Sequence, residues 1–416
     1  MISRRIFLKN GAFALVSLGF ASSFLTRTAF AAGTTARSKR LIAIFQRGAV
    51  DGLSVIVPFG DNEYYRARPS IAIARPQSGD NNGAVDLDGF FGMNPRLQPL
   101  KPFWDARQLA IVHACGSPDN TRSHFDAQDY METATPGVKS TSDGWLNRYL
   151  QARRVEGATP FRAVALTQQL PRMLQGVAPA LAVNQIGQFG IRAGQASDMI
   201  GASFEAQFAA AADRVLNNTG REAFDAIRML KVADPSRYQP EHGAEYPRTP
   251  FGQALQQIAQ LSKADVGLEV AFADLGGWDT HVNQGSAQGQ LATRLDDFAR
   301  SISSLVTDLG DRMEDTVVLT MSEFGRAVNE NGNRGTDHGH GNAMIAIGGG
   351  IRGGQVYGKW PGLAVGQRYE GRDLAVTTDF RDVFGEIVVR HLGVSDARSI
   401  FPRYELRPAR FPGLFS

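Results

Sequence analysis

Short apolar runs alternate with amphipathic stretches along most of the chain, and this alternation is the main evidence for its fold. The apolar runs have the length of strands buried on both faces of a sheet, and they cover residues 41–45, 109–113, 161–166, 180–183, 266–272, 316–321 and 343–347. Helical patterns cover residues 123–132, 204–216, 221–232, 249–263, 288–308 and 379–392. Strands that alternate with helices predict an α/β fold, a three-layer α/β/α sandwich with a mostly parallel central sheet.

Several predicted elements have recognisable end signals. Ser123, with Asp126 three residues later, can form a capping box at the start of a helix. Pro250 favours the first position of another helix, and Gly393 is expected to end the last one. Because no internal repeat, low-complexity tract or linker interrupts the pattern, the sequence predicts one large domain over residues 32–416.

The first 31 residues have the order of a bacterial export signal: a charged head, an apolar middle and small residues at the exit. Residues 3–9 read S-R-R-I-F-L-K, which resembles the twin-arginine signal, and residues 29–31 form an A-x-A type cleavage site. We therefore predict a twin-arginine signal peptide over 1–31, with the twin-arginine translocation machinery as partner and a periplasmic or otherwise extracytoplasmic location. The alternative is a retained membrane anchor. It is disfavoured because the apolar stretch has about 15 residues and a bilayer requires about 20.

Charge and cysteine content narrow the range of functions. The formal net charge of +3 depends on four basic residues of the predicted signal, so the remaining chain is close to neutral. A nearly neutral protein has no electrostatic reason to bind nucleic acid. The single cysteine, Cys115, excludes an internal disulfide and cysteine-based metal clusters. Any metal must therefore be held by histidines and carboxylates.

Polar side chains are concentrated where predicted strands end. Four clusters, at residues 48–52, 121–124, 276–281 and 322–326, each follow a predicted strand, and a fifth at 335–342 directly precedes one. In a mostly parallel sheet the carboxyl ends of the strands share one edge, where ligand crevices form. We therefore expect these clusters to converge on one site.

Two of these clusters contain pairs spaced two residues apart: Asp279 with His281, and His338 with His340. Imidazole and carboxylate are the ligands that zinc, manganese and non-haem iron use in proteins. The chain has no H-E-x-x-H helix pair, which disfavours a zinc protease of that type.

Other polar positions have simpler structural interpretations that the sequence leaves open. Asp51, directly before Gly52, can be a turn residue, and Ser123 can serve only as a helix cap. Glu323 and Arg326 can form a surface ion pair.

Together, five motifs make the chain resemble a known family. They read V-D-G-L at 50–53, R-S-H-F at 122–125, G-W-D-T-H at 277–281, S-E-F-G-R at 322–326 and D-H-G-H-G at 337–341. This set resembles an exported bacterial family catalogued as domain of unknown function 1501, which is similar in architecture to the alkaline phosphatase and sulfatase superfamily. The resemblance extends over residues 39–412 and implies an alkaline-phosphatase-like, sulfatase-like sandwich.

The resemblance also implies metal ligands. Asp279, His281 and His338 match the residues that hold one metal in the two-metal phosphatases of this superfamily. Asp51 matches an early aspartate ligand of the second metal, and Glu323 stands at a further acidic position of that site. One or two divalent transition-metal ions are expected, with zinc or manganese as the leading candidates.

The sequence departs from the superfamily pattern at the second metal. The acidic position holds Glu323 where aspartate is usual, and Phe324 stands where a histidine should follow. His340 is one candidate for the missing imidazole. These departures disfavour a complete two-metal centre, and one metal is expected.

The same resemblance places a hydroxyl nucleophile at the start of a helix, and Ser123 matches that place. Arg122 or Arg326 would neutralise charge on the transferring group, and His124 flanks the serine on its other side. A metal-activated Ser123 would attack phosphorus or sulfur of a small anionic ester.

The sequence therefore favours an exported metal-dependent hydrolase of phosphate or sulfate esters. The alternative is a non-catalytic exported protein that binds a metal or another ligand on the same fold. An exported oxidoreductase agrees only with the export route, because the chain has no dinucleotide-binding motif of the G-x-G-x-x-G type.

Overall fold

The computed structural model describes residues 14–16, 38–155, 158–186 and 238–416. Its strands are β1 Ala14–Val16, β2 Arg40–Arg47, β3 Ile56–Val57, β4 Val85–Asp86, β5 Gly92–Met93, β6 Leu109–Gly116, β7 Ala163–Ala165, β8 Leu181–Val183, β9 Val270–Gly276, β10 Thr316–Met321, β11 Asn342–Gly348, β12 Gln355–Tyr357 and β13 Thr378–Asp379. Its α-helices are α1 Gly52–Val55, α2 Asn62–Ala67, α3 Lys101–Asp105, α4 His124–Thr133, α5 Trp145–Ala152, α6 Pro250–Lys263, α7 Gln290–Leu309 and α8 Phe380–Glu386.

A large mixed sheet with strand order β1-β8-β7-β9-β2-β10-β11-β6-β12 forms the centre of the molecule, and β13 pairs with β6. Most neighbouring strands run parallel; β11 runs antiparallel to β10 and β6, and β1 runs antiparallel to β8. Strands β3, β5 and β4 form a separate small sheet. The predicted α/β class with a mostly parallel sheet is confirmed.

Strand β2 illustrates why the apolar runs are continuous. Ile42 and Ile44 belong to the hydrophobic cluster that includes residues of α6 and α7, whereas Leu41, Ala43 and Phe45 belong to a second cluster with residues of α5 and α8. Successive strand residues point to opposite faces, so helices cover the sheet on both sides. A strand buried on both faces is apolar through its centre, as residues 41–45 are.

Two predicted boundaries differ from the structure. Strand β9 begins at Val270 although Val266 and Leu268 are also buried, because Gly267 between them has φ of 82°, a left-handed conformation that interrupts an extended chain. The last helix changes from α-helical to π-helical geometry at Ile387. The helices predicted at 204–216 and 221–232 lie outside the described residues, as does most of the predicted signal peptide.

No helix in the described ranges combines the length and the apolar character needed to cross a membrane.

The strand ends place the polar clusters together. Arg47 at the end of β2 pairs with Gly276 at the end of β9, and Met321 at the end of β10 pairs with Phe45. Asn342, which begins the antiparallel strand β11, pairs with Cys115 near the end of β6. The carboxyl ends of β2, β6, β9 and β10 and the start of β11 therefore share one edge of the sheet.

Candidate metal centre

Three side chains converge at this edge in an arrangement that suits a metal ion. His124 is the first residue of α4, Asp279 follows β9, and His338 precedes β11. Each offers one ligand atom, and these atoms lie within 4.8 Å of one another. His281, from the same loop as Asp279, contacts two of the three. We call these four residues the histidine–aspartate cluster.

One carboxylate oxygen is the common neighbour of all three imidazole rings. Asp279 Oδ1 lies 3.0 Å from His281 Nε2, 3.1 Å from His338 Nε2 and 3.5 Å from His124 Nε2. The Nε2 atoms of His281 and His338 are 2.9 Å apart. All three rings therefore direct Nε2 towards Asp279 Oδ1.

The outer nitrogen of each ring faces an oxygen that can accept a hydrogen bond. The Nδ1 contacts are 2.8 Å from His124 to Glu323 Oε1, 2.9 Å from His338 to the Arg122 carbonyl oxygen, and 3.3 Å from His281 to Asp337 Oδ1. For His124, whose Nε2 has no hydrogen bond to a described residue, the Glu323 carboxylate favours the proton on Nδ1 and leaves the lone pair of the neutral ring on Nε2. His281 and His338 face an acceptor at both ring nitrogens, and with the proton on Nδ1 each would offer its Nε2 lone pair to a metal. Metal-bound histidines in proteins have this arrangement.

The residues fit a metal on two further observations. His124 Nε2 is buried and makes no hydrogen bond to any described residue. With metal–nitrogen distances of about 2.0–2.1 Å, ligand atoms of a tetrahedral site lie about 3.3 Å apart. The separations of 3.0–3.5 Å from Asp279 Oδ1 to the three Nε2 atoms, and of 2.9 Å between the Nε2 atoms of His281 and His338, bracket this value. A cation among them would also give His124 Nε2 a partner.

Arg326 holds the Asp279 carboxylate in place through an ion pair. Its Nη2 donates to Asp279 Oδ1 at 2.6 Å and to the carbonyl oxygens of Gly48 and Trp278. Nε and Nη1 donate to the carbonyl oxygens of Ala49 and Thr336. Burial alone would raise the pKa of Asp279, but Arg326 and the neighbouring histidines outweigh it and lower that pKa to about 2. Asp279 is therefore a carboxylate at neutral pH.

A glycine allows this loop to approach β2. Gly48 has φ of 115°, and a Cβ atom there would lie 2.8 Å from the backbone nitrogen of Asp279. A side chain at position 48 would therefore displace the loop that carries Asp279 and His281.

The pKa values of His124 and His338 are shifted in opposite directions. The hydrogen bond to Glu323 raises the pKa of His124, against the opposing effect of burial. Burial lowers the pKa of His338, although its hydrogen bond to Asp279 opposes the change. At neutral pH His338 is therefore available as a neutral ligand.

Glu323 lies behind His124, and both of its oxygens are already in use. The side chain has 0% exposure. Its Oε1 accepts from His124 Nδ1, Gln128 Nε2 and the Gly48 backbone nitrogen, and its Oε2 accepts from Ser322 Oγ. The expectation that Glu323 would ligate metal directly is not supported by this arrangement.

Asp51 is also separated from the cluster. Both of its oxygens bind the Arg68 guanidinium, and Ser54 Oγ and Gln284 Nε2 donate to Oδ2. The sequence suggested Asp51 as a ligand of a second metal or as a simple turn residue. The structure shows instead that Asp51 forms a buried ion pair with Arg68.

His340 does not supply the missing imidazole. Its ring stacks on Tyr369 with centroids 4.4 Å apart and is buried there. At the position where the resemblance implies a histidine, the Phe324 ring stacks on the His124 imidazole with centroids 5.1 Å apart.

The expected catalytic residues have mixed positions. Arg122 forms ion pairs of 2.7 Å with Asp373 and with Glu370, so its charge is already compensated. Ser123 is exposed and precedes α4, but its side chain makes no capping hydrogen bond, so the expected capping box does not form.

Sequence reasoning missed His124 as a candidate ligand and treated it as a neighbour of the nucleophile. The only signal was its place in R-S-H-F after a strand, at the same edge as the other clusters. It also missed Arg68 and Gln128, because nothing in the sequence shows which buried acid each of them meets.

Comparison with known proteins agrees with the motif resemblance. The model of a family described as a protein of unknown function (DUF1501) matches residues 109–398, more than half of the chain. This match includes all four residues of the histidine–aspartate cluster together with Glu323. No curated protein matches the chain. The chain therefore belongs to the DUF1501 family.

Proposed function

We propose that this protein binds one divalent transition-metal ion at the histidine–aspartate cluster and hydrolyses phosphate or sulfate esters. The observation that carries the proposal is the convergence of three imidazole Nε2 atoms on Asp279 Oδ1, one of them buried without a hydrogen bond to any residue that the structure describes. A buried nitrogen without a hydrogen-bond partner costs free energy, and a bound cation would supply the partner that His124 Nε2 lacks among the described residues.

His124, Asp279 and His338 would hold the ion, and His281 is placed to add a fourth ligand. The ligand set of imidazole and carboxylate suits zinc or manganese. When bound, the ion would supply a Lewis acid for an ester oxygen and lower the pKa of a water molecule. The Asp279 side chain is 45% exposed, so solvent and a small substrate can reach the cluster.

A single ion agrees better with the structure than two. The Arg68 guanidinium occupies both oxygens of Asp51, and Glu323 is committed to His124 and its other donors. Neither carboxylate is free to hold a second ion unless its hydrogen bonds break.

Ser123 is the proposed nucleophile toward a small anionic ester. It is exposed at the N-terminal end of α4, directly before His124, and its hydroxyl forms no capping bond that would have to be broken. The free N–H groups of the first helical turn favour negative charge nearby. Ser123 Oγ would form a bond to phosphorus or sulfur while the ester bond to the alcohol breaks, and the hydroxyl proton would leave with the alcohol. Water would then release the phosphate or sulfate and restore the Ser123 hydroxyl.

We also propose the finer architecture and the location. An alkaline-phosphatase-like α/β/α sandwich over 32–416 is supported by helices on both faces of a mostly parallel sheet with the cluster at its carboxyl edge. Export by the twin-arginine pathway is supported by the signal motif at residues 3–9.

A specific observation favours a second candidate, a non-catalytic metal-binding protein. Both arginines expected to neutralise a transferring group are engaged: Arg122 with Asp373 and Glu370, and Arg326 with Asp279 and four carbonyl oxygens. Without such a cation, an anionic ester would depend on the metal and on α4 alone.

Two measurements on protein purified after native export separate these candidates. Elemental analysis should find about one zinc or manganese per chain, and aryl phosphate or aryl sulfate esters should be hydrolysed in a chelator-sensitive way. Bound metal without turnover on any such ester would favour the non-catalytic candidate. Absence of metal after reconstitution with either ion would overturn both.

A further inference from the structure

We propose that Glu323 is a positioning residue that holds His124 in the tautomer whose Nε2 lone pair faces Asp279. The functional use of this tautomer rests on the proposed metal binding. The tautomer itself can be measured in the metal-free protein. Glu323 acts through His124 and does not enter the group of ligand atoms.

The carboxylate of Glu323 cannot turn away from His124 without losing its other partners. Its Oε1 accepts from the Gly48 backbone nitrogen at 2.9 Å and from Gln128 Nε2 at 2.8 Å, besides His124 Nδ1 at 2.8 Å. Ser322 Oγ lies 3.0 Å from Oε2. Because the side chain is fully buried, water cannot replace these donors.

The direction of the bond between Glu323 and His124 follows from this arrangement. Oε1 accepts from the Gly48 backbone nitrogen and from Gln128 Nε2, and both of these groups can only donate, so Oε1 acts as an acceptor. A carboxylate oxygen can only accept, so His124 Nδ1 must carry the proton. A neutral His124 ring therefore has its lone pair on Nε2.

The orientation of the ring is fixed from a second side. Phe324, the next residue along the chain, stacks on His124 with an interplanar angle of 28°. His338 approaches the same ring edge-on, at 4.4 Å between centroids. Glu323 and Phe324 together thus explain how Nε2 is held near Asp279 although it forms no hydrogen bond within the described structure.

A purely structural role for Glu323 makes a different prediction. Glu323 also joins the loop after β2 to α4 through Gly48 and Gln128, so its loss should affect stability in either case. Only the positioning role requires that the tautomer of His124 depend on an acceptor at position 323.

Three variants separate the two roles. Glu323→Gln keeps an oxygen where three donors converge, so it should keep the Nδ1–H tautomer. Glu323→Met removes the acceptor, and the ring should then populate both tautomers. Gln128→Met is the matched control, because it removes another donor to the same oxygen and leaves the His124 bond intact.

The test is the ¹⁵N spectrum of histidine-labelled, metal-free protein at about pH 9, well above the ordinary histidine pKa of about 6.5, with His124 assigned through a His124→Gln variant. We expect the Nδ1–H tautomer of His124 in the wild type, Glu323→Gln and Gln128→Met, and a mixture of both tautomers in Glu323→Met. Zinc affinity should fall by about 10–100-fold in Glu323→Met only. Nε2–H in the wild type, or an unchanged tautomer in Glu323→Met, would overturn the inference. Failure of the wild type to bind zinc while His124 keeps Nδ1–H would count against the proposed function alone. If Glu323→Met does not fold, Nε2–H for His124 in the wild type or in Glu323→Gln would still overturn the inference.

Discussion

Arg68 donates through Nη1 and Nη2 to the two carboxylate oxygens of Asp51, at 2.6 and 2.9 Å, and both side chains have 0% exposure. Burial alone would raise the pKa of Asp51, but the charge and hydrogen bonds of Arg68 hold it below its ordinary value. Asp51 is therefore a buried carboxylate whose counter-ion is an arginine of the same chain.

Replacing Arg68 by methionine should leave Asp51 charged and unpaired in the core. We expect the free energy of unfolding in urea to fall by about 3–5 kcal/mol, the range measured when one partner of a buried pair is removed. The double variant Asp51→Asn with Arg68→Met should recover part of this loss. Equal stability of Arg68→Met and the wild type would show that the pair is not buried as described.

His113 and His391 should make the protein less stable as the pH falls. Burial lowers the pKa of each to about 4 from 6.5, although a hydrogen bond from each ring to a backbone carbonyl oxygen opposes the shift. Between pH 6.5 and 4 these two histidines are protonated in the unfolded chain but remain neutral in the folded chain. Their contribution to stability is thus complete above pH 6.5 and is lost as the pH falls towards 4.

Chemical denaturation of chelator-treated protein at pH 7.5 and 5.5 measures this effect. Each histidine should account for a loss of about 1.4 kcal/mol at pH 5.5. His391→Gln keeps a donor for the Arg40 carbonyl oxygen and should reduce the pH dependence by that amount. Identical pH dependence in the variant and the wild type would contradict a depressed pKa at His391.

Ser123→Ala separates the nucleophile from the cap. Because the hydroxyl makes no capping bond, the variant should unfold within about 0.5 kcal/mol of the wild type. On an ester that the wild type hydrolyses, turnover should fall by orders of magnitude while metal binding persists. Equal rates for the two proteins would remove Ser123 from the mechanism.

Replacing both Arg4 and Arg5 by lysine should keep the folded protein in the cytoplasm. The paired arginines are the defining feature of the motif at residues 3–9, and lysine preserves their charge. Cell fractionation with immunodetection measures the outcome, and the wild-type chain expressed in parallel is the control. Normal export of the double variant would contradict the twin-arginine assignment.

The sheet and the edge that carries the site could be predicted from the sequence because their signals are local. Strand β2 is buried on both faces, so the apolar run at 41–45 is enough to predict a strand even when its neighbouring strands are unknown. Because neighbouring strands run parallel, the loops after β2, β9 and β10 had to meet at one edge. Asp279, His281 and His338 were predicted to converge there, and the structure places them together.

The roles of individual side chains depend on partners that are remote in sequence. Asp51 pairs with Arg68, at the C-terminal end of α2, and no periodicity indicates that contact. Glu323 meets Gly48 and His124, and His340 meets Tyr369, only after the sheet is assembled. Residue type and spacing therefore identified possible ligands, and packing determined which of them point into the cluster.

The most direct test of the metal centre is a zinc titration of chelator-treated protein, followed by competition with a chromogenic chelator. The wild type should bind about one ion per chain, and His338→Ala should bind at least tenfold more weakly because an imidazole ligand is lost. His340→Phe, which retains an aromatic ring for stacking on Tyr369, should bind like the wild type. No bound zinc in the wild type, or equal affinity in His338→Ala, would contradict a metal site at the histidine–aspartate cluster.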